Sequence, residues 1–444
     1  MTTQQLGLRR LDLAATDAAT TEAVTQLMRR GAVPDVRVRD DARVIVEEVR
    51  VGGAAALRRA SDTYGGGRAD GNLVIGKAEL TTAVDRLPPD VRRALDQSIA
   101  NVTSFAETQR PTTTRTTIVP GVEIERRWTP LRRVGCYVPG GSAPYPSSLV
   151  MTVVPARVAG VGEIVVASPA DARGIVDPVL LGAAGILEVD ALLVAGGAQA
   201  IAALAFGLPD AEFAPVDRIV GPGNAWVTAA KLEVSGLVGI DLPAGPSEGM
   251  VLADATADAV LVAADLVTQA EHGPDSPAIL VTTDRALADA VEAEIDRLLP
   301  RLERRSILER ALREHGRIVV APDLDSAIAF VNAYAPEHLS VDVADVESVV
   351  ARLDSAGSIF VGPWAPESAG DYATGANHVL PTGGLARSCG PLSVEAYGRY
   401  SQVQRIDREG LAAITETIRT LATAEGLTAH RNAVETRFRT AADR

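Results

Sequence analysis

The feature that most constrains the fold is an alternation of short apolar runs and small-residue helical stretches between about Val134 and Tyr334. Val134–Val138 reads as a strand that closes in Pro139-Gly140-Gly141, and Tyr145-Pro146-Ser147-Ser148 opens a helix through Arg157. Then come strand 163–167, helix 177–184, strand 191–195, helix 200–206, strand 218–220 and helix 225–234. A second series follows: strand 249–252, a helix ending at His272, strand 278–281, helix 285–299, strand 317–320 and helix 324–334. Strands that are apolar throughout and alternate with helices imply parallel sheets covered on both faces. Such sheets bind ligands outside the carboxyl ends of their strands, where the glycine turns lie.

The flanks differ. Helical spacing marks 17–30, 35–64 and 90–108, and the stretch before about Val33 reads as a small arm. Residues 116–119 and 122–125 read as strands; after Gly383-Gly384 the pattern is helical over 393–401, 409–424 and 428–439. With 43 basic against 57 acidic residues, the net charge of −14 disfavours nucleic acid or an anionic membrane surface as the main partner. No apolar run is long enough to span a bilayer, and Met1-Thr2-Thr3-Gln4-Gln5 has no signal-peptide pattern. The two cysteines, Cys136 and Cys389, make neither a disulfide framework nor a cysteine-rich zinc site, so a cytoplasmic protein is expected.

Four of the five histidines stand in glycine- and proline-punctuated motifs, a concentration that core packing does not produce. Gln269 and His272 are three apart, on one face at the carbonyl end of a helix whose N-cap is expected at Thr256 and whose stop signal is Gly273-Pro274. Donors beside the negative end of a helix dipole suit a cation, although a surface Gln and His closing an ordinary helix would look the same. Glu337-His338 supplies a carboxylate and an imidazole side by side, suited to acid–base work. Gln269, His272, Asp371 and His430 together offer two nitrogens and two oxygens, enough for one Zn²⁺, but their spacing is not diagnostic. His378 lies in another loop, and His315 reads as a solvated helical residue.

A cofactor signal is present only as turns. There is no GxGxxG; Gly221-Pro222-Gly223-Asn224, between strand and helix, would set amides at a helix N-terminus where pyrophosphate is stabilised. A tight βα turn without ligand reads equally well. Cys136 could attack an aldehyde, but a lone cysteine in an apolar strand reads better as a small buried hydrophobe.

Taken in order, the motifs resemble one family. They are Gly135–Gly141, Gly196-Gly197-Ala198-Gln199-Ala200, Gly221–Ala225, Ala244-Gly245-Pro246-Ser247-Glu248, Gln269–Gly273, Tyr334–Leu339, Gly370-Asp371-Tyr372, Asn377–Thr382 and Glu425-Gly426-Leu427. From about Pro130 to Arg437 the chain resembles the histidinol dehydrogenases; the N-terminal hundred residues match more loosely, with Gly53-Ala54-Ala55-Ala56-Leu57 where the family often has Gly-Asp before Ala-Leu. The resemblance implies a zinc- and NAD-dependent oxidation of L-histidinol through L-histidinal to L-histidine, the last step of histidine biosynthesis. It implies one Zn²⁺ per subunit held by Gln269, His272, Asp371 and His430, with Glu337 and His338 as acid–base pair. Ser247, His378 and Glu425 would join the zinc ligands and the pair in contacting substrate, and Tyr137, Gln199 and Asn224 would line the NAD site.

It also implies a homodimer whose active site is shared between chains, each with two large α/β domains and two small ones. The expected fold is therefore α/β, with two Rossmann-like parallel-sheet domains lacking GxGxxG, a small N-terminal arm and a C-terminal helical module. The expected division is 1–33 for the arm, 34–136 with 249–392 for the first large domain, 137–248 for the NAD-side domain and 393–444 for the module. A paralogue oxidising another small diol, such as a sulfonated one, would keep the zinc and Glu337-His338 but lose the imidazole-recognising end; Glu425 and His430 favour histidinol. A purely binding protein would need neither member of the pair.

Overall fold

The computed structural model describes residues 6–15, 17–140 and 144–439. Gly141, at the tip of the expected Pro-Gly-Gly loop, and the N-terminal Met1–Gln5 lie outside these. The described chain forms two compact units, one from Met1–Gln109 with Leu131–Tyr397, the other from Arg110–Pro130 with Gly398–Arg444.

The first unit contains two six-stranded sheets, in keeping with the α/β expectation. In one, Gly249–Ala253 lies centrally between Ala278–Thr282 and His338–Asp342, with Arg317–Val320 and Ser358–Val361 further out. All its pairings are parallel. Its outermost strand is Arg9–Asp12, paired with Arg317–Val320, and Leu6 and Leu8 are buried in the same core. The stretch read as an arm therefore contributes a strand to the sheet: four residues carry too little pattern to show a strand whose partner lies three hundred residues on.

The other sheet has the order Val74–Gly76, Ala191–Val194, Glu163–Ser168, Arg133–Tyr137, Arg218–Val220, Gly239–Ile240. It is parallel except where Val74–Gly76 joins antiparallel. Order reverses at Arg133–Tyr137, since the strands that follow it go first to one side and then to the other. That makes a crevice at the carboxyl ends of Arg133–Tyr137 and Arg218–Val220. The helices Val36–Tyr64 and Pro89–Glu107 pack against the helices that cover this sheet, with Ala42, Ile45 and Leu57 in one core cluster and Leu95 and Val102 in the other. Residues of the stretch grouped with 249–392 thus bury their apolar faces in the core of this sheet. Helical periodicity shows that a face must be buried but not against which sheet.

The second unit is a three-stranded antiparallel sheet of Thr114–Val119, Val122–Pro130 and Gly398–Ile406, with helices Arg408–Ala424 and Thr428–Phe438. Residues 393–401 were expected to be helical; only Val394–Tyr397 forms a 3-10 turn, and Gly398–Ile406 is a strand. Its pairing with Val122–Pro130 sets Tyr400 opposite Trp128, ring centroids 5.3 Å apart, with Arg126 over the Tyr400 ring. A strand whose partner is so remote in sequence overrides a weak helical pattern.

Candidate active site

The chemistry-bearing residues gather at the amino edge of the all-parallel sheet, because helix Ala259–Ala270 runs back against its strand and ends there. Asp258, not Thr256, caps the start of that helix. The helix closes at Ala270, so His272 lies just beyond it rather than in its last turn, its Nδ1 3.2 Å from the carbonyl of Gln269. Gly249, at the start of the central strand, leaves room for Gln269: a Cβ there would sit 2.5 Å from Gln269 Oε1. Gln269 is accordingly buried, with its amide 3.3 Å from Ser247 Oγ and its Oε1 3.2 Å from His338 Nδ1.

Glu337 and His338 open the neighbouring strand, and both are buried. One Glu337 carboxylate oxygen accepts from Ser247 Oγ at 2.8 Å and from the Glu248 N–H at 2.9 Å. The Glu248 carbonyl accepts from the His338 N–H at 3.2 Å. Burial pushes the Glu337 carboxyl well above the usual range, the two hydrogen bonds opposing it and the charge of Glu248 adding to it. Burial, and then the neighbouring His272 and His378, push His338 well below its ordinary value. The pair is thus biased towards a neutral imidazole that can accept a proton and a carboxyl that can give or take one.

Helix Glu367–Tyr372 brings two further carboxylates. Glu367, 4% exposed, points Oε1 at His272 Nδ1 (3.6 Å) and His338 Nδ1 (3.8 Å), and among the described residues that oxygen has no hydrogen-bond partner. Burial and the nearby Asp371 and Glu337 push its carboxyl well above the usual range. His272, Glu367 and Asp371 each present one ligand atom within 4.8 Å of the others. An imidazole nitrogen and two carboxylates, one of them with an orphaned buried oxygen, fit a divalent cation that takes mixed N/O ligands, such as Zn²⁺. Glu367 was missed in the sequence: an acid in the first turn after Pro366 reads as an ordinary complement to the helix dipole.

His378 Nδ1 lies 3.1 Å from the Asp371 carbonyl and 3.6 Å from its carboxylate, and His378 Nε2 is 3.5 Å from Ser148 Oγ. Burial lowers this imidazole's pKa, and Asp371 opposes the shift. So Ser247, Gln269, His272, Glu337, His338, Asp371 and His378 belong to one connected neighbourhood. Glu425, capping helix Arg408–Ala424, and His430, in helix Thr428–Phe438, belong to the second unit.

The residues expected at a cofactor lie at the carboxyl edge of the other sheet. Tyr137 ends strand Arg133–Tyr137, and its hydroxyl accepts from the Gly197 N–H at 3.1 Å, tying two turns together. Gln199 is buried in helix Gly197–Phe206. Asn224 caps helix Ala225–Val234, its side-chain oxygen accepting from Trp226 and Val227 N–H, each at 3.1 Å. Gly221, with φ 115°, passes so close to Tyr137 that a Cβ would be 2.1 Å from its carbonyl oxygen. Turns of this kind at a topological switch point, with amides at helix starts, fit a dinucleotide. Cys136 is fully buried and its thiol is pushed up to about 12, so it is packed core and not a nucleophile.

Two largely parallel sheets, one with glycine turns at a switch point and one with a buried carboxyl–imidazole pair beside metal-type donors, are those of an oxidoreductase of the α/β class. The family model for histidinol dehydrogenase matches residues 28–438, and the chain belongs to that family. It is 47% identical over 397 residues to the histidinol dehydrogenase of Leifsonia xyli subsp. xyli, covering 89% of this chain and 91% of the relative. To that of Nocardia farcinica it is 45% identical over 443 residues, covering 98% and 99%. The crystal structure of histidinol dehydrogenase from Elizabethkingia anophelis superposes with a TM-score of 0.89 at 33% identity, covering 97% of this chain and 98% of that one. Among the described residues no helix is long and apolar enough to cross a membrane.

Proposed function

We propose that the chain catalyses the zinc- and NAD-dependent oxidation of L-histidinol through L-histidinal to L-histidine, the last step of histidine biosynthesis, as a cytoplasmic homodimer. The observation that most supports it is the Glu337–His338 pair, buried and hydrogen-bonded beside the donors His272, Glu367 and Asp371. Zn²⁺, held by Gln269, His272 and Asp371 with His430, would supply a template for the substrate's donor atoms. NAD, along Tyr137, Gln199 and Asn224, would supply the hydride acceptor.

The chain's own residues do the rest. His338, neutral because it is buried, accepts the hydroxyl proton as hydride leaves the carbinol carbon, giving the aldehyde. Glu337, fixed by Ser247 and the Glu248 amide, takes a proton from water as it adds to the aldehyde and passes it to solvent, while His338 returns its proton to the former carbonyl oxygen, giving the hydrate with His338 neutral again. His338 then takes one hydroxyl proton of the hydrate as the second hydride leaves, for which a second NAD would be the acceptor, and the carboxylic acid so formed releases its remaining proton to solvent as the carboxylate. Ser247, His378 and Glu425 complete the substrate contacts, with Glu425 and His430 contributed by the partner chain. The test is the yield of NADH per histidinol from metal-loaded protein. Two per substrate is expected; one, with free aldehyde accumulating, would overturn the two-step reading.

A further inference from the structure

The amino-terminal segment brings Arg30 into the catalytic neighbourhood. Arg30 follows helix Ala18–Met28 and is neither close in sequence to the site nor part of either sheet. Its Nε and Nη2 each donate to one oxygen of the Glu248 carboxylate at 2.7 Å, the two-pronged geometry that suits guanidinium best. The guanidinium lies over the Tyr334 ring, 3.3 Å from its centroid, and Nη2 also donates to the Ala335 carbonyl at 3.2 Å. Glu248, 3% exposed, is further held by the Gly383 N–H at 3.1 Å and faces the Tyr334 hydroxyl at 3.4 Å.

What Glu248 does with its backbone gives this arrangement its meaning. Its N–H donates to the Glu337 carboxylate, and its carbonyl accepts from His338. The segment leading into Glu337 starts at Ala335, which has φ 54°, an uncommon conformation for alanine, and whose carbonyl Arg30 holds. One guanidinium therefore pins both segments that set the carboxylate: Ser247-Glu248 on one side, Ala335-Pro336 on the other. Ionic burial of this quality is not needed for stability alone, since an apolar replacement of similar volume is often as stable.

We propose that Arg30 is a positioning residue for Glu337, acting through Glu248 and the Ala335 carbonyl, so that the amino-terminal segment is part of the working site. The proposal rests on Glu337 belonging to that site, but not on which half-reaction Glu337 serves.

The test uses the full-length, zinc-loaded protein with NAD, supplied separately with L-histidinol and L-histidinal, and reads single-turnover NADH formation. Arg30→Met, Glu337→Gln and the double variant are compared. Arg30→Met is expected to slow the half-reaction that Glu337→Gln slows, by about 10- to 100-fold, as loss of a supporting partner commonly does. Zinc content and KM for NAD should stay as in the parent, and the double variant should be no slower than Glu337→Gln. Arg30→Lys, which keeps charge but not the fork, should fall between; if Arg30→Met does not fold, it carries the same comparison. Losses that multiply in the double variant, or fall on the half-reaction that Glu337→Gln spares, overturn the proposal, because a merely structural arginine would behave so. If Glu337→Gln slows both half-reactions equally, the division of labour given for Glu337 fails, and the coupling alone still decides the role of Arg30.

Discussion

Lys231→Met should damage both the stability of the first unit and the NAD binding proposed for it. Lys231 and Asp241 form an ion pair whose side chains are 2% and 4% exposed. Between them they hold both polar backbone atoms of Gly221: its N–H donates to Asp241 Oδ2 at 2.6 Å, and its carbonyl accepts from Lys231 Nζ at 3.0 Å. Lys231 also donates to the Leu242 carbonyl at 3.2 Å. A methionine fills the volume but leaves Asp241 without its buried cation and the Gly221 and Leu242 carbonyls without that donor. Removing one partner of a buried pair costs about 3–5 kcal/mol. At roughly 2 °C per kcal/mol for a large domain, the melting temperature should fall by about 6–10 °C.

Calorimetry reads the first effect. Adding Asp241→Asn to Lys231→Met removes the stranded charge and should restore part of the loss, the orphaned carbonyls keeping the rest. Because Gly221 sets the turn beside Tyr137, KM for NAD should rise in Lys231→Met with kcat little changed, the signature of lost uniform binding. An unchanged melting temperature, or a double variant no more stable than Lys231→Met, would refute the assignment of the cost to the unpaired Asp241. A normal KM for NAD in a clearly destabilised variant would separate this turn from the cofactor.

Three further outcomes are expected. His272→Ala should fold but lose bound zinc on metal analysis, and chelation of the parent should abolish activity that Zn²⁺ restores; full activity of metal-free protein would contradict the site. Burial, with Asp342 nearby, pushes the Asp265 carboxyl up to about 6 from its ordinary 3.8. A folded-state value above the unfolded one gives stability that is complete below about pH 4 and lost as pH rises through about 6. Asp265→Asn should therefore be close to the parent at pH 4 and exceed it by roughly 3 kcal/mol at pH 8 in denaturant unfolding, at about 1.4 kcal/mol per unit; equal stability at both values would contradict the shift. Mixing Glu337→Ala with His430→Ala under subunit exchange should return roughly a quarter of the parent activity, since about half the dimers are mixed and one site in each is intact; no recovery would assign His430 to its own chain's site.

The parallel sheets were legible because strands buried on both faces are continuous apolar runs, and helices such as Ala225–Val234 and Leu324–Tyr334 have the bounds their spacing gives. What was illegible is pairing. Arg9–Asp12 and Gly398–Ile406 owe their structure to partners at Arg317–Val320 and Val122–Pro130, and no local pattern names a remote partner. The same holds for Arg30 and Glu367, an arginine after a helix and an acid at the start of another, whose meaning lies wholly in what they meet. The rule that ligands bind at the carboxyl ends of parallel strands fits Tyr137, Gly197 and Gly221, whose turns stand at that edge. It does not fit Glu337 and His338, which precede and begin their strand, across from Gly249 at the start of another. Strand starts offer free N–H groups, as the Glu248 amide does to Glu337, and the returning helix adds its carbonyl end beside Gln269 and His272. That edge thus gives donors to hold a carboxylate and acceptors to favour a cation within a few residues of each other, so its two strand starts suit a carboxyl–imidazole pair beside a metal better than an edge of helix N-termini would.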